Sequence, residues 1–437
     1  MTVFAFVADD FTGATDALWQ FRRFGLTGSL VTDMARLREA DDAYDVVGVA
    51  TTARAAEDPV PVALPVLKAM AALKPLVIQY KVCSTFDSSP ARGSIGAVIA
   101  ALHRDGLARG PVPVLAAQPE LGRYTWFANH FVRSGAEVHR LDRYPPMRDH
   151  PITPASEADL RVRLAGQGAG RVGRLPAWPP PSAEAYRALG EDAAFVADAQ
   201  TEEHVRALGR LLLADATSRD GPLYCVGSGG LSYALASALV TAGRAESSGA
   251  GERPGPEPLG PAAPVLVVSG SRSSITARQI DTAERAGWRV LDASDGLRGG
   301  IRDAGAASAG SGGSFAGLLA DVAESLGEGR HTIVQSTRGP ARDPAVIGDL
   351  LGRIASVAIR AGLVGRLVVA GGDTSGQVVA ALGARSLDVV AALAPGAPVC
   401  VLTSDDPACD GLEVALKGGQ VGGDDYFLRA AAGTPPP

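Results

Sequence analysis

One grammar recurs along this chain: a short apolar strand, a turn of Gly, Ser, Thr or Asp, then a helix. VFAFVADD leads into FTGATDALWQFRRFG, where Leu18, Phe21 and Phe24 keep helical spacing before Gly25 ends the pattern. LVIQYKV leads into CSTFDSSPARGSIGAVIAALHRDG, and PLYCVGSGG into LSYALASALVTAG. PVLVVSGSRSS leads into ITARQIDTAERAG, where Thr276 and Gln279 have capping-box spacing. HTIVQSTRG precedes a helix around 346–361, and LVVAGGDTSG precedes the last helical pattern. Such alternation predicts an α/β architecture of largely parallel sheets flanked by helices. Ligands of such sheets sit outside the carboxyl ends of the strands, so the turns are where chemistry is expected.

A chain of 437 residues exceeds one ordinary core. TAGRAESSGAGERPGPEPLGPAAP, residues 241–264, has linker composition and predicts domains over 1–240 and 265–432. A second low-complexity stretch, 296–314, reads as a surface loop of the second domain, and the GTPPP tail as a frayed end. Apolar content of 46% with 20% charged residues is a soluble balance, and a formal charge of -6 argues against a nucleic-acid or anionic-membrane partner. The N-terminus lacks a basic n-region, and no stretch reaches about 18 uninterrupted apolar residues. Cys83, Cys225, Cys400 and Cys409 lie far apart, with no CxxC and no histidine at metal-ligand spacing. They fit reduced thiols in a cytoplasmic protein, without a structural zinc.

Three glycine-rich turns fall in the second predicted domain. Gly371–Gly376 reads GGDTSG between an apolar strand and a helix, which offers several backbone N–H groups and two hydroxyls at a helix N-terminus. That combination binds phosphate without a lysine. The other reading is a tight turn in which Thr374 or Ser375 merely caps. SGSRSS (Ser269–Ser274) has the same setting, and LKGGQVGG (Leu416–Gly423) adds a third glycine-rich turn with Lys417. Three such turns in one domain point to a nucleotide pocket. Neither a Walker A sequence nor GxGxxG is present.

In the first domain, VADDFTGATD sets Asp9 and Asp10 at a strand's carboxyl end and Asp16 in the following helix. One reading makes one carboxylate a helix cap and leaves the other solvated. The alternative is that one accepts hydrogen bonds from a polyol, or the proton of an attacking hydroxyl. Asp9 continues the alternation of Val3, Ala5 and Val7, whereas Asp10 lies nearest the turn, so Asp10 is the expected acceptor and Asp9 its support. KVCSTFDSS (Lys81–Ser89) brings a cation, hydroxyls and Asp87 to another strand end, which suits a small hydroxy-acid. Its alternative is a helix start capped by Ser84 or Ser88. Arg54 suits a substrate carboxylate, which arginine grips in a bidentate manner.

ADDFTGATD, KVCSTFDSSPARGSIG, HPITP, VGSGGL, SGSRSSITARQ, AGGDTSGQVV, PGAP and ALKGGQVGGDDYF occur in this order over nearly the whole chain. In that series the chain resembles the four-carbon acid sugar kinase family, which phosphorylates acids such as 3-oxo-tetronate, D-threonate and D-erythronate with ATP. The resemblance implies an N-terminal acid-sugar-binding domain, a C-terminal nucleotide-binding domain and an active site in the cleft between them. It places Asp9, Asp10, Arg54, Lys81, Ser84, Thr85 and Asp87 on the sugar side. It places Ser269, Ser271, Gly371, Gly372, Asp373, Thr374, Ser375, Gly376, Gly418 and Gly419 on the ATP side. Three departures stand out: QPELGR (Gln118–Arg123) for a motif with proline and asparagine before Gly-Arg, Asp373 for a common Glu, and Gly418-Gly419-Gln420 for Ser-Gly-Asn.

The expected activity is ATP-dependent phosphorylation of a terminal hydroxyl of a small sugar acid, with Mg²⁺ on the triphosphate, Lys81 and Arg54 on the substrate carboxylate and Asp10 as base. The metal ligands are not legible, and a homodimer is left open. The alternatives are a phosphatase or aldolase acting on a sugar-acid phosphate, and a non-catalytic nucleotide- or metabolite-binding protein.

Overall fold

The computed structural model describes residues 2–150, 152–243, 259–297, 315–338 and 343–434. Residues 298–314 of the low-complexity loop, the last three residues of the GTPPP end and most of the 241–264 linker lie outside the described residues. The chain divides into two compact units, Met1–Gly255 and Pro256–Pro437.

The first unit carries strands β1 (Phe4–Ala8), β2 (Gly28–Val31), β3 (Val46–Ala50), β4 (Val77–Lys81), β5 (Val112–Leu115), β6 (Arg123–Trp126), β7 (Asn129–Ser134), β8 (Glu137–Arg140), β9 (Val172–Leu175), β10 (Ala194–Ala197) and β11 (Leu223–Gly227). Its main sheet runs β2–β3–β1–β4–β11–β5–β10–β9, and every pairing in it is parallel. FAFVA, VIQYK and LYCVG are buried along their whole length, as strands covered on both faces must be. A 3-stranded antiparallel sheet, β6–β7–β8, sits over a small core of Val132, Leu141, Tyr144 and Met147.

The second unit carries β12 (Val265–Ser269), β13 (Arg289–Asp292), β14 (Thr332–Gln335), β15 (Arg366–Ala370), β16 (Ala384–Ala394), β17 (Ala397–Ser404) and β18 (Glu413–Lys417). The order is β13–β14–β12–β15–β18–β17–β16, parallel as far as β18 and antiparallel beyond it.

In each sheet the first strand of the unit lies between strands added on opposite sides. From β1 the chain adds β3 on one side and β4 on the other; from β12 it adds β14 on one side and β15 on the other. At such a switch point the two connections leave in opposite directions and open a crevice above the strand ends. The carboxyl ends of β1 and β4 bear Asp9, Asp10 and the turn after Lys81. Those of β12 and β15 bear the turns starting at Ser269 and Gly371.

Local details differ from three expectations. The helix Ser274–Arg285 is capped by Ser273, not by a Thr276–Gln279 box. Thr276 instead donates to the Gly419 carbonyl at 3.0 Å, and Gln279 Nε2 to the carbonyls of Val421, Gly422 and Gly423. Tertiary acceptors outcompeted the local one. The helix after β4 starts at Ile95, and Ser94 caps it, so neither Ser84 nor Ser88 is a cap. GGDTSG is not a free six-residue loop, since helix begins at Gly372.

Candidate active site

In the first unit, Arg54 joins the two aspartates. Its Nη2 and Nε donate to Asp9 at 2.6 and 3.2 Å, and its Nη1 to Asp10 Oδ2 at 2.6 Å. The backbone fixes the group: Asp9 N donates to Lys81 O at 2.9 Å, and Arg54 N to Asp9 O at 3.1 Å. Asp10 caps the helix Phe11–Arg22, its Oδ1 accepting from Gly13 N at 2.8 Å and its Oδ2 also from Thr12 Oγ1 at 2.6 Å. The capping reading therefore holds for Asp10.

The two carboxyls respond differently to burial. Burial pushes Asp9 up, with Asp10 adding to it against the pull of Arg54, to about 6. Burial pushes Asp10 up too, but Arg54, Lys81 and the Thr12 and Gly13 donors together outweigh it and hold Asp10 below the usual carboxylate range.

Lys81 is fully buried at the end of β4, its Nζ donating to Val82 O at 3.1 Å and lying 3.9 Å from Asp16 Oδ2. Asp16 accepts from Gln118 Nε2 at 3.2 Å and from Gln20 Nε2 at 3.2 Å. Arg54 and Lys81, the cations expected on a substrate carboxylate, are thus each faced by the protein's own acids.

The Cys83–Ser89 turn is held by groups that do not belong to it. His130 Nε2 donates to Ser84 O at 2.7 Å; because a carbonyl only accepts, this nitrogen carries the proton, and Nδ1 accepts from Thr125 Oγ1 at 3.0 Å. Burial pushes His130 down to about 4, so the ring is neutral at ordinary pH. Arg163 Nη2 donates to the carbonyls of Phe86 and Ser88 at 3.0 and 2.8 Å, and Gln167 Nε2 to Ser88 Oγ at 2.9 Å. Thr153 Oγ1 donates to Asp87, and Thr153 N to His150 Nδ1 at 3.1 Å. Thr85 Oγ1 lies 3.0 Å from Cys83 Sγ. Phe86, fully buried, has φ +53, a conformation that costs a bulky residue energy and persists only where its surroundings impose it.

In the second unit the three glycine-rich turns meet. Gly371 N donates to Lys417 O at 3.0 Å, and Gly270 N and Ser271 N donate to Ala370 O at 3.1 and 3.2 Å. A Cβ on Gly270 would lie 2.1 Å from Thr374 Oγ1, and one on Gly419 would lie 2.6 Å from Ser271 Oγ. Gly371 has φ +124, outside the range of ordinary side chains, and a Cβ there would press to 3.3 Å from Ser271 N. It is the N-cap of the helix Gly372–Ala381, and no side chain caps that helix. A helix start without such a cap turns its first amides outward.

Hydroxyls line the turns. Ser271 Oγ lies 3.0 Å from Thr276 Oγ1 and accepts from Ser273 N at 3.3 Å, while Thr337 Oγ1 donates to Ser271 O at 2.6 Å. Ser269 Oγ lies 3.5 Å from Thr337 Oγ1. Ser375 is turned inward, its hydroxyl donating to Gly371 O at 2.8 Å. Asp373 lies in the first helical turn and Gly376 one turn further on; Gly418 and Gly419 follow β18.

Comparison with known proteins agrees with this division. Residues 4–235 match the model of a sugar-binding N-terminal domain, and residues 266–427 that of a nucleotide-binding C-terminal domain. The 3-oxo-isoapionate kinase of Paraburkholderia graminis is 34% identical, covering 97% of this chain and 93% of its own. The 3-oxo-tetronate kinase of Methylobacterium radiotolerans is 33% identical, covering 97% of each chain. The chain belongs to the four-carbon acid sugar kinase family. A crystal structure of a Salmonella typhimurium LT2 protein shares the fold, with a TM-score of 0.73, 25% identity and 98% of each chain covered.

Sequence reasoning assigned no role to Gln118, Arg123, His130, Thr153 and Arg163 around the turns after β1, β4 and β5, or to Thr337 around the glycine-rich turns, and it gave Thr276 and Gln279 only a capping role. None of these pairs is close in sequence, so no local spacing signals them. Gln118 and Arg123 stood in QPELGR, Thr153 in HPITP, and Thr276 and Gln279 in SGSRSSITARQ, motifs already marked for other reasons.

Proposed function

We propose that this chain transfers the γ-phosphoryl group of ATP to a hydroxyl of a small sugar acid of the 3-oxo-tetronate type. The observation that carries the reading is the contrast between two strand-end sites in one chain. One is a helix start with no side-chain cap, ringed by three turns of glycine and hydroxyl residues. The other gathers carboxylates, cations and a held turn of hydroxyls. The first suits a phosphate chain, which needs backbone donors and close approach. The second suits a polyol acid, which needs both acceptors and cations. The names of the curated relatives support the same chemistry, and the 3-oxo-isoapionate kinase among them makes 3-oxo-isoapionate the second substrate to test.

The amides at Gly372 to Thr374 and the turns at Ser271 and Gly419 would hold the phosphates. Among the described residues no cluster of three His, Cys, Asp or Glu side chains forms a metal cage. Mg²⁺ does not require one, since it binds through one or two carboxylates with substrate phosphates and water. Asp373 is the carboxylate in place for that role, and the ion would neutralise charge on the phosphates.

For the proton acceptor we assign the Asp9–Asp10 pair, with Asp9 as the stronger base. Both lone-pair sites of Asp10 Oδ2 are already used by Thr12 and Arg54, and the carboxyl is held low. Among the described residues the Asp9 carboxylate accepts only from Arg54, and it titrates nearer working pH, where a general base is most effective. Asp10, the acceptor expected from the sequence, would then orient the hydroxyl.

ADP release decides the reaction class. Purified full-length protein with ATP and Mg²⁺ should release ADP on addition of 3-oxo-tetronate, and less with D-threonate, D-erythronate or 3-oxo-isoapionate. No acid-dependent ADP release across this panel sinks the kinase reading.

A further inference from the structure

The acid-binding unit contains cations whose partners differ in kind. Arg54 spends all three of its nitrogens on Asp9 and Asp10, and Lys81 faces Asp16. Arg163 spends its donors on the carbonyls of Phe86, Ser88 and Glu157, which makes it a brace for the turn. Arg123 differs from all three. Its Nη1 donates to the Leu121 carbonyl at 2.5 Å, while its buried Nε has no partner. Among the described residues no carboxylate lies within ion-pair distance of it.

Arg123 is nevertheless placed with care. Its backbone exchanges both hydrogen bonds with Gln118, at 2.9 and 3.1 Å, and Gln118 is the residue that reaches Asp16 beside Lys81. Its guanidinium lies within electrostatic range of Cys83, the first residue of the turn after β4, and of Tyr124 and Tyr144. A mostly buried guanidinium with an unmet donor and no acid beside it costs free energy unless an anion arrives. Nε and Nη2 together form the side-on fork that matches a carboxylate.

We propose that Arg123 grips the carboxylate of the sugar-acid substrate, and that Arg54 and Lys81 instead organise the protein's own acids. This assignment rests on the kinase reading and names the specificity group within it. It makes the acid's charge, and not only its hydroxyl pattern, what this unit selects.

The test compares 3-oxo-tetronate with its amide, which keeps the hydroxyls and removes the charge. Wild type, Arg123→Gln and Arg123→Lys are assayed for ADP release as the full chain, with folding checked by thermal melting. Wild type should prefer the acid over the amide in kcat/KM. In Arg123→Gln the KM for the acid should rise about 10- to 100-fold, the size of a lost charge-assisted pair, with the KM for ATP unchanged and the acid-to-amide preference collapsing towards one. Lysine keeps a charge but not the fork, so Arg123→Lys should fall between the two. A purely bracing role would lower acid and amide together and leave their ratio intact; that ratio, unchanged in Arg123→Gln, overturns the assignment. If Arg123→Gln does not fold, a wild-type ratio in Arg123→Lys overturns it equally. Wild type that releases no ADP with any acid of the panel removes the kinase reading and this assignment with it. Wild type that works, beside variants with unchanged ratios, removes this assignment alone.

Discussion

Two helices start at the switch points of this protein, and they are finished in opposite ways. The helix Phe11–Arg22 begins with a carboxylate of the chain itself: Asp10 accepts from Gly13 N, and a Cβ on Gly13 would fall 2.5 Å from that oxygen. The helix Gly372–Ala381 begins at a glycine with φ +124 and has no side-chain cap. A helix N-terminus attracts negative charge. Where the protein supplies the anion, the helix start becomes a fixed post for other groups, here Arg54 and through it Asp9. Where it supplies none, the first amides keep no side-chain acceptor. The two helix starts lie in the stretches that match the sugar-binding and the nucleotide-binding domain models, respectively.

The sharpest way to break the comparison is at the carboxylate pair. Asp9→Asn should lower kcat by about 10²–10⁴-fold, the range of a lost general base, with the KM for ATP little changed. Asparagine caps helices about as well as aspartate, so Asp10→Asn should keep the fold and lose less turnover. The pH profile gives an independent reading. A base must be ionised, so wild-type kcat/KM should fall as pH drops through about 6, the value to which burial lifts Asp9. Turnover lost in Asp10→Asn but kept in Asp9→Asn would return the acceptor to Asp10.

A smaller effect is expected at the open helix start. If phosphate meets the backbone at Gly372, a side chain there obstructs it without straining the helix. Gly372→Val should raise the KM for ATP by about 10- to 100-fold, equivalent to one or two charge-assisted hydrogen bonds, while melting stays cooperative. Normal ATP kinetics in this variant would make the glycine turn a purely structural joint.

The smallest effect concerns the lysines that end β4 and β18. Lys81 has Asp16 within 3.9 Å, whereas Lys417, among the described residues, donates only to Thr276 Oγ1 at 3.3 Å and lies 5.6 Å from the Tyr426 ring. Burial pushes Lys417 down from 10.5 to about 7. Its unfolded form holds a proton that the folded form releases, so stability falls as pH drops from about 10 to 7. Lys417→Met should therefore raise the melting temperature by about 2–4 °C at pH 6–7, the shift expected for roughly 1 kcal/mol in a unit of this size, and the gain should fade towards pH 10. An equal gain at every pH would mean the lysine is not held uncharged.

Much of this was legible because it is local. Apolar runs such as FAFVA and VLVVS announce strands buried on both faces, and the small residues at their ends announce strand-to-helix turns. Those signals, with the ordered motifs, gave the α/β class and pointed to the two kinds of site. What was not legible depends on which strand lies beside which. Order within a sheet is set by crossovers of many residues, so nothing in ADDFTG or KVCSTF says that β1 and β4 are neighbours.

The same reason explains the misread details. Thr276 and Gln279 have capping-box spacing, but the tertiary fold offered them the carbonyls of Gly419 and of Val421–Gly423. Alternation along a strand separates Asp9 from Asp10, but Arg54, far off in sequence, ties them together, and burial at Asp9 against the added donors and Lys81 at Asp10 leaves one high and the other low in pKa. The sequence by itself determined the elements and the chemical types at their ends, because propensity and periodicity act over a few residues. The tertiary structure alone decided which carboxylate is a cap and which cations face the protein's own acids, because charge and hydrogen bonding act through space between residues the chain keeps far apart.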